Sequence, residues 1–423
     1  MDDSISTILA SISHNQPKRL AVDFGAANTT GIHCSVVAEL RKHFGLEKQP
    51  VKVHEPIQML GYIDDDLADA MGVDTVHCMP YTNGLGVPNT GDWKEWRTPW
   101  GQTVLVAEKL ALKNADNGEV LAFPQGDINV PASAVMPSGG YFFDATNRQG
   151  EFDEDDPDVN DNTEEFALLA DAEIASLKRW SEEARRHNRA VVASLPGTAL
   201  GDVSSVPAMF MKNPKGIRDV AEWYISIAAR PDFIHGIFER QTKVALQNLK
   251  NIHDNVGDAA FDVAFVCGTD FGTQISTFCS LDTFIELYQP YYRRINDWIH
   301  ANTPWKTFKH SCGAIEPFID ALIDSGFDIL NPVQCSATGM APELLKEKYG
   351  KRVVFWGGGV DTQQTLPFGT PQEVRQQVLE RCRIFSPGGG FVFNSIHNVQ
   401  ALTPTENMVA LLDAVKEFNS AGK

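Results

Sequence analysis

Eight short apolar segments, centred near residues 20, 75, 191, 263, 307, 328, 353 and 391, are each followed by a stretch with helical periodicity. A brief apolar run with little alternation is the signature of a strand buried on both faces. Strands that alternate with helices in this way call for a parallel sheet with helices packed outside it. Eight such units favour a closed (β/α)8 TIM barrel over an open sheet, and barrels reach this length as one unit. The chain is therefore expected to be α/β throughout and to form a single barrel domain over 1–423. A short helix within the first eighteen residues should precede the barrel.

The pattern breaks once. From Trp93 to about Val130 the sequence reads as an antiparallel excursion, with Thr103-Val104-Leu105-Val106, a turn at Asn117-Gly118, and Val120-Leu121-Ala122-Phe123. An insertion of about 91–165 after an early strand accommodates it. Its tryptophans, Trp93, Trp96 and Trp100, either cover a pocket or pack the excursion on the main body. The insertion closes on Glu151–Glu165, which holds nine acids and no base. This stretch is expected to be a solvated loop or lid, because like charges repel and it lacks the glycine that an EF-hand loop requires. Helices are expected at Gln58–Met71, between the first two strands, and at Thr163–His187.

Polar residues gather where a barrel builds its sites. Asp23, His77, Cys78, Asp270, His310, Cys312, Asn331, Gln334, Asp361, Asn394 and His397 stand at or just beyond the C-terminal ends of strands. Of these, Asp23, His77, Asn331, Gln334 and Asn394 are candidates to bind substrate. The densest stretch is Thr307-Phe308-Lys309-His310-Ser311-Cys312-Gly313. In extended backbone, residues i and i+2 point the same way, so the His310 imidazole and the Cys312 thiol project from one side of the strand end. That is a two-point grip for zinc, with a third ligand to come from elsewhere, or else a buried cysteine beside a hydrogen-bonded histidine.

The net charge of −19 argues against a nucleic-acid partner or an anionic membrane surface. No apolar run approaches the roughly 20 residues that cross a bilayer, and the start lacks the pattern of a signal peptide. A cytoplasmic location is expected. The seven cysteines are dispersed, several inside apolar strands, as reduced thiols are.

Taken in order, Pro290-Tyr291, His310-x-Cys312-Gly313, Gly357-Gly358-Gly359-Val360-Asp361 and Pro387-Gly388-Gly389-Gly390-Phe391, followed by His397 and Thr403-Pro404-x-Glu406-Asn407, resemble the uroporphyrinogen decarboxylase superfamily. Its barrel is shared with zinc-dependent methyltransferases such as methylcobalamin:coenzyme M methyltransferase. Two features associated with the decarboxylases are not recognisable here. No Arg-Gln-x-Gly-Arg loop lies near the N-terminus, and the early strand ends in His77-Cys78 where an Asp is expected.

The methyltransferase branch implies zinc on His-x-Cys and a later cysteine. His310 and Cys312 match the first two, and His397 occupies the place of the third, with Cys335 as an alternative. The resemblance further implies Asp270, Glu316 and Asp361 as groups that position substrate or move protons. The implied activity is methyl transfer to a thiol or similar acceptor, with a corrinoid on a partner protein and a possible homodimer. The alternatives are a metal-free decarboxylase-like lyase and a non-catalytic partner of a corrinoid protein.

Overall fold

The computed structural model of the protein describes residues 3–89 and 91–421. Seven parallel strands form one sheet in which every strand neighbours the next in sequence: Thr75–Cys78, Ala190–Ser194, Val263–Cys267, Lys306–His310, Ile329–Asn331, Val354–Trp356 and Phe391–Val392. These strands are largely buried on both faces, and most are apolar, because helices cover one side and the sheet curls round on the other. The segment expected as the first strand is shorter than its apolar run suggests. It pairs only through a parallel bridge from Val22 to Phe393.

That segment nevertheless lies between the two edges of the sheet. The Phe393 amide donates to Ala21 O (2.8 Å) and the Asp23 amide to Phe393 O (2.9 Å), while on the other side the Asp74 amide donates to Val22 O (2.8 Å). The architecture is TIM-barrel-like. Inside the curl, Ala21, Val192, Val263, Phe308, Ile329, Val354, Trp356 and Val392 form one apolar cluster. Ile8 and Ile12 of the helix Ser4–Ile12 join it from the N-terminal end, where the Gly390 amide donates to Ser11 O (2.8 Å).

The first third of the chain departs from expectation. Gln58–Met71 is not one helix: the strands Val51–Glu55 and Leu60–Gly61 precede a helix confined to Asp65–Met71. Val51–Glu55 runs parallel to Thr103–Ala107, which is antiparallel to Trp93–Arg97, so early and later segments share one five-stranded sheet. A second sheet of Ala111–Asn114, Val120–Phe123, Ala134–Met136 and Asp144–Ala145 is antiparallel throughout. Trp96 and Trp100 pack against the main core, and Trp100 lies on Tyr141 with ring centroids 5.0 Å apart.

The acidic stretch is solvated as expected, with most of its carboxylates exposed, but its C-terminal end is anchored. Asn162 exchanges two hydrogen bonds with the Ile217 backbone (2.7 and 2.9 Å), and the Arg218 guanidinium grips Glu165 at 2.8 and 3.2 Å. Arg230 Nε donates to Glu154 O (2.8 Å). Lys215 and Arg218, later in the chain, thus supply positive charge to Asp161, Glu164 and Glu165 at the end of the stretch. The helix that follows runs over Asp171–Arg185, eight residues later than the expected start. Among the described residues no helix is long and apolar enough to cross a membrane.

One buried carboxyl here makes folding stability depend on pH. Burial pushes Glu55 up to about 7 from an ordinary 4.5, although the Ile57 and Gln58 amides that donate to it pull the other way. Because the folded value lies above the unfolded one, the folded chain holds the extra proton. The resulting stability is complete below pH 4.5 and is lost as pH rises through about 7. The gap corresponds to roughly 3 kcal/mol. In denaturant titrations across pH, Glu55→Gln should gain on the native chain between pH 4.5 and 7 and then hold a constant difference. A difference that does not vary with pH would refute this assignment.

Candidate metal centre

The strand Lys306–His310 turns Phe308 and His310 inward and Lys309 outward, as its period of two dictates. Register places His310 beside Asn331 on the neighbouring strand. Asn331 Oδ1 therefore lies 2.6 Å from His310 Nδ1, while Asn331 Nδ2 donates to Trp356 O (2.8 Å). An amide so anchored can only accept from the imidazole, which puts the ring proton on Nδ1 and a lone pair on Nε2. That lone pair faces Cys312 Sγ at 3.3 Å.

Three contacts fix the turn that carries Cys312. Its amide donates to Asp270 Oδ1 (2.7 Å), the Gly313 amide donates to Gln334 Oε1 (2.8 Å), and Phe271 N donates to Ser311 Oγ (3.0 Å). Gly313 has a φ of +89°, and a Cβ placed there would come within 2.3 Å of the Gly272 backbone, so only glycine lets the two loops approach. Behind them Lys309 is completely buried. Its ammonium donates to Thr269 O (2.6 Å) and His310 O (2.5 Å) and lies over the Phe271 ring at 5.2 Å. One cation thereby ties together the two strand ends that present Asp270 and Cys312.

His397 arrives on the loop after Phe391–Val392, its ring centroid 5.2 Å from that of His310. One donor atom each from His310, Cys312 and His397 lies within 4.8 Å of the others, a set able to hold a metal ion. Its chemistry suits zinc, which takes two nitrogens and a sulfur readily and keeps a fourth position open. Burial pushes His310 down to about 4 and His397 down to about 3, so both imidazoles are neutral at physiological pH. Burial, and then the Asp270 carboxylate, pushes the Cys312 thiol well above its ordinary value. Such a thiol ionises only beside a cation. The Asn398 amide donates to His397 Nδ1 (2.8 Å), which puts that ring's proton on Nε2. A metal would therefore cost this ring either that proton or that hydrogen bond, whichever nitrogen it took.

The other candidate residues lie elsewhere. Cys335 is outside the donor set, its Sγ 3.5 Å from Val333 O and its thiol pushed by burial up to about 11. Glu316 is taken by Lys348 and Tyr349, each at 2.7 Å. Asp361 accepts the amides of Gln363 and Gln364 (2.7 and 2.8 Å) and so caps a turn. Asp270 alone of the three carboxylates reaches the donors, with Oδ1 3.9 Å from His310 Nε2.

Among the candidate substrate contacts, Asp23 is fully buried, its carboxylate accepting from Thr75, Trp356 and Ala26. Asn394 holds Asp23 O (2.6 Å). Asn331 and Gln334 position His310 and Gly313, as described above. His77 Nε2 meets Ser194 Oγ (2.9 Å), and its buried Nδ1 has no partner among the described residues. His54 packs against it at 5.9 Å. His54, Ser194 and Lys309 were not singled out from sequence.

A TIM-barrel-like chain with nitrogen and sulfur donors converging at the C-terminal ends of its strands has the layout of a barrel enzyme. Residues 205–418 match the family profile described as uroporphyrinogen decarboxylase (URO-D), and the chain belongs to that family. It is 29% identical over 106 residues to the uroporphyrinogen decarboxylase of Psychromonas ingrahamii, covering 24% of this chain and 27% of that relative. To that of Coxiella burnetii it is 24% identical over 102 residues, covering 24% and 26%. The match thus spans about a quarter of these curated relatives. A solved methyltransferase from Methanosarcina mazei shares the fold over 98% of this chain and 99% of its own, with a TM-score of 0.56 at 15% identity.

Proposed function

We propose that the protein is a zinc-dependent methyltransferase that moves a methyl group from a corrinoid or another activated donor to a thiol. The observation that carries this reading is the convergence of His310, Cys312 and His397 within 4.8 Å at the strand ends. Zinc bound there would supply the charge that keeps an acceptor thiol deprotonated at neutral pH, which a free thiol with a pKa near 8.5 does not achieve. The chain's own residues do the rest. Asn331 fixes the His310 tautomer, Asp270 holds the Cys312 turn, and the buried Lys309 keeps the two loops in register.

Porphyrinogen decarboxylation, the activity named for the curated relatives, fits less well. The cavity beside the donors carries one guanidinium, Arg218, and Glu165 already occupies it. Among the described residues, the cavity lining offers substrate carboxylates no other cation.

The test is to purify the chain without chelators, measure its metal, and follow methyl transfer from methylcobalamin to 2-mercaptoethanol. About one zinc per chain is expected, with transfer lost on treatment with dipicolinate and restored by zinc. A metal-free protein, or transfer that survives chelation, would sink the proposal. Chelator-resistant decarboxylation would instead favour the lyase.

A further inference from the structure

A cavity of about 570 Å³ opens between the loops that follow Thr75–Cys78 and Ala190–Ser194, roofed by the anchored acidic stretch and the helix Pro231–Val256. This is within the range of small-ligand pockets. None of the three candidate metal donors lines it, yet it adjoins them through one loop. Gly268 N donates to Asp202 Oδ2 in the cavity wall (3.2 Å), and two residues further on Asp270 accepts the Cys312 amide.

The lining is selective in charge. It includes three carboxylates, Glu165, Glu173 and Asp202, and one cation, Arg218. Arg218 is spent on Glu165 and on Lys215 O, and Glu173 accepts the Ala170 amide. Asp202 is different. It is nine-tenths buried, accepts from Ser204 on Oδ1 and from a single amide on Oδ2, and no basic side chain pairs with it among the described residues. Burial favours the neutral form of this carboxyl, the buried Lys309 ammonium opposes that without forming an ion pair, and a cation placed directly against it would hold the charge. Phe166, Phe210 and Trp223 line the same space, and aromatic faces favour a weakly hydrated organic cation over a metal or an anion.

We propose that this cavity binds a small organic cation bearing methyl groups on nitrogen or sulfur, with its charge on Asp202 and its apolar body against the aromatic wall. The proposal deepens the methyl-transfer reading and rests on it for its role. When a thiolate forms a sulfur–carbon bond to such a methyl group, the C–N or C–S bond breaks and the leaving atom keeps the electron pair as a neutral amine or sulfide. No oxidant and no proton is needed.

Binding can be tested without any turnover, by calorimetric titration of the full chain with benzyltrimethylammonium, benzyl methyl ether and benzoate. The ammonium is expected to bind at least about 10-fold more tightly than either of the others. Asp202→Asn should remove that advantage and leave the ether unchanged, whereas Val206→Trp, which fills the cavity, should weaken both. Benzoate binding as tightly as the ammonium, or ammonium binding that survives Asp202→Asn, overturns the proposal. If Asp202→Asn does not fold, undiminished ammonium binding by Val206→Trp overturns it instead. The expected binding pattern without methyl transfer to a thiol would count against the methyltransferase and leave the cation site standing.

Discussion

Cys312→Ala is expected to weaken zinc retention by more than about 100-fold, since loss of an outer-shell partner of a metal ligand already costs 10–100-fold. The thiol is the only donor of the three that becomes an anion on binding, and its removal leaves two neutral imidazoles, one of which must give up a proton or a hydrogen bond. The matched control is Cys335→Ala. Its thiol is also buried, lies 23 positions along the same chain and stands outside the donor set, so zinc content should not change. Competition with a coloured chelator, following the native chain and both variants, gives the affinities directly. Equal zinc affinity in Cys312→Ala and the native protein would mean that the ion, if bound, sits elsewhere.

Asp23→Ala should be the most destabilising single change at the barrel seam. The side chain is completely buried, and its carboxylate accepts from Thr75 Oγ1 (2.6 Å), Trp356 Nε1 (2.8 Å) and the Ala26 amide (3.1 Å). Truncation leaves three donors, two from separate strands of the sheet and one from the loop after Asp23, without this acceptor. An unsatisfied buried donor costs about 1–3 kcal/mol, and the threonine hydroxyl can turn away, so the total for the other two is roughly 2–6 kcal/mol. Against a typical stability of about 5–15 kcal/mol, that brings the variant close to unfolding at room temperature. Asp23→Asn keeps one oxygen but turns an amino group toward another donor, and should fall between the two. A loss below about 1 kcal/mol in urea titrations of Asp23→Ala would show that the seam does not depend on this carboxylate.

The two halves of the chain were legible to different degrees, for physical reasons. Runs such as Ala190–Ser194 and Val354–Trp356 announce themselves because parallel strands are apolar on both faces. Val51–Glu55 reads Val, Lys, Val, His, Glu, its near partner Leu60–Gly61 is only two residues long, and its other partner lies fifty residues away, so local periodicity could not distinguish it from a loop. His54 was missed with it.

At the candidate centre, His310 and Cys312 were readable because two residues of extended chain fix their common direction. His397 was readable as a strand-end residue, but as the third ligand only through a family pattern, since nothing local links residues 310 and 397. Asn331 was seen as a strand-end residue, but its hold on His310 depends on strand register. Lys309 was passed over because a lysine inside a strand reads as exposed, whereas backbone carbonyls and aromatic rings satisfy this one in the core. The anchoring at the end of the acidic stretch was not legible because Arg218, which pairs with Glu165, lies more than fifty positions downstream.

The five-stranded sheet carries a lesson for anyone trimming this protein. Val51–Glu55 borrows Thr103–Ala107 as a neighbour, and the Phe143 amide reaches back to Ile57 O (2.8 Å). Excising residues 91–147 to obtain a minimal barrel would leave Val51–Glu55 as a raw sheet edge, of the kind that recruits other chains. Shortened versions should therefore be cut outside this lobe, or keep it whole.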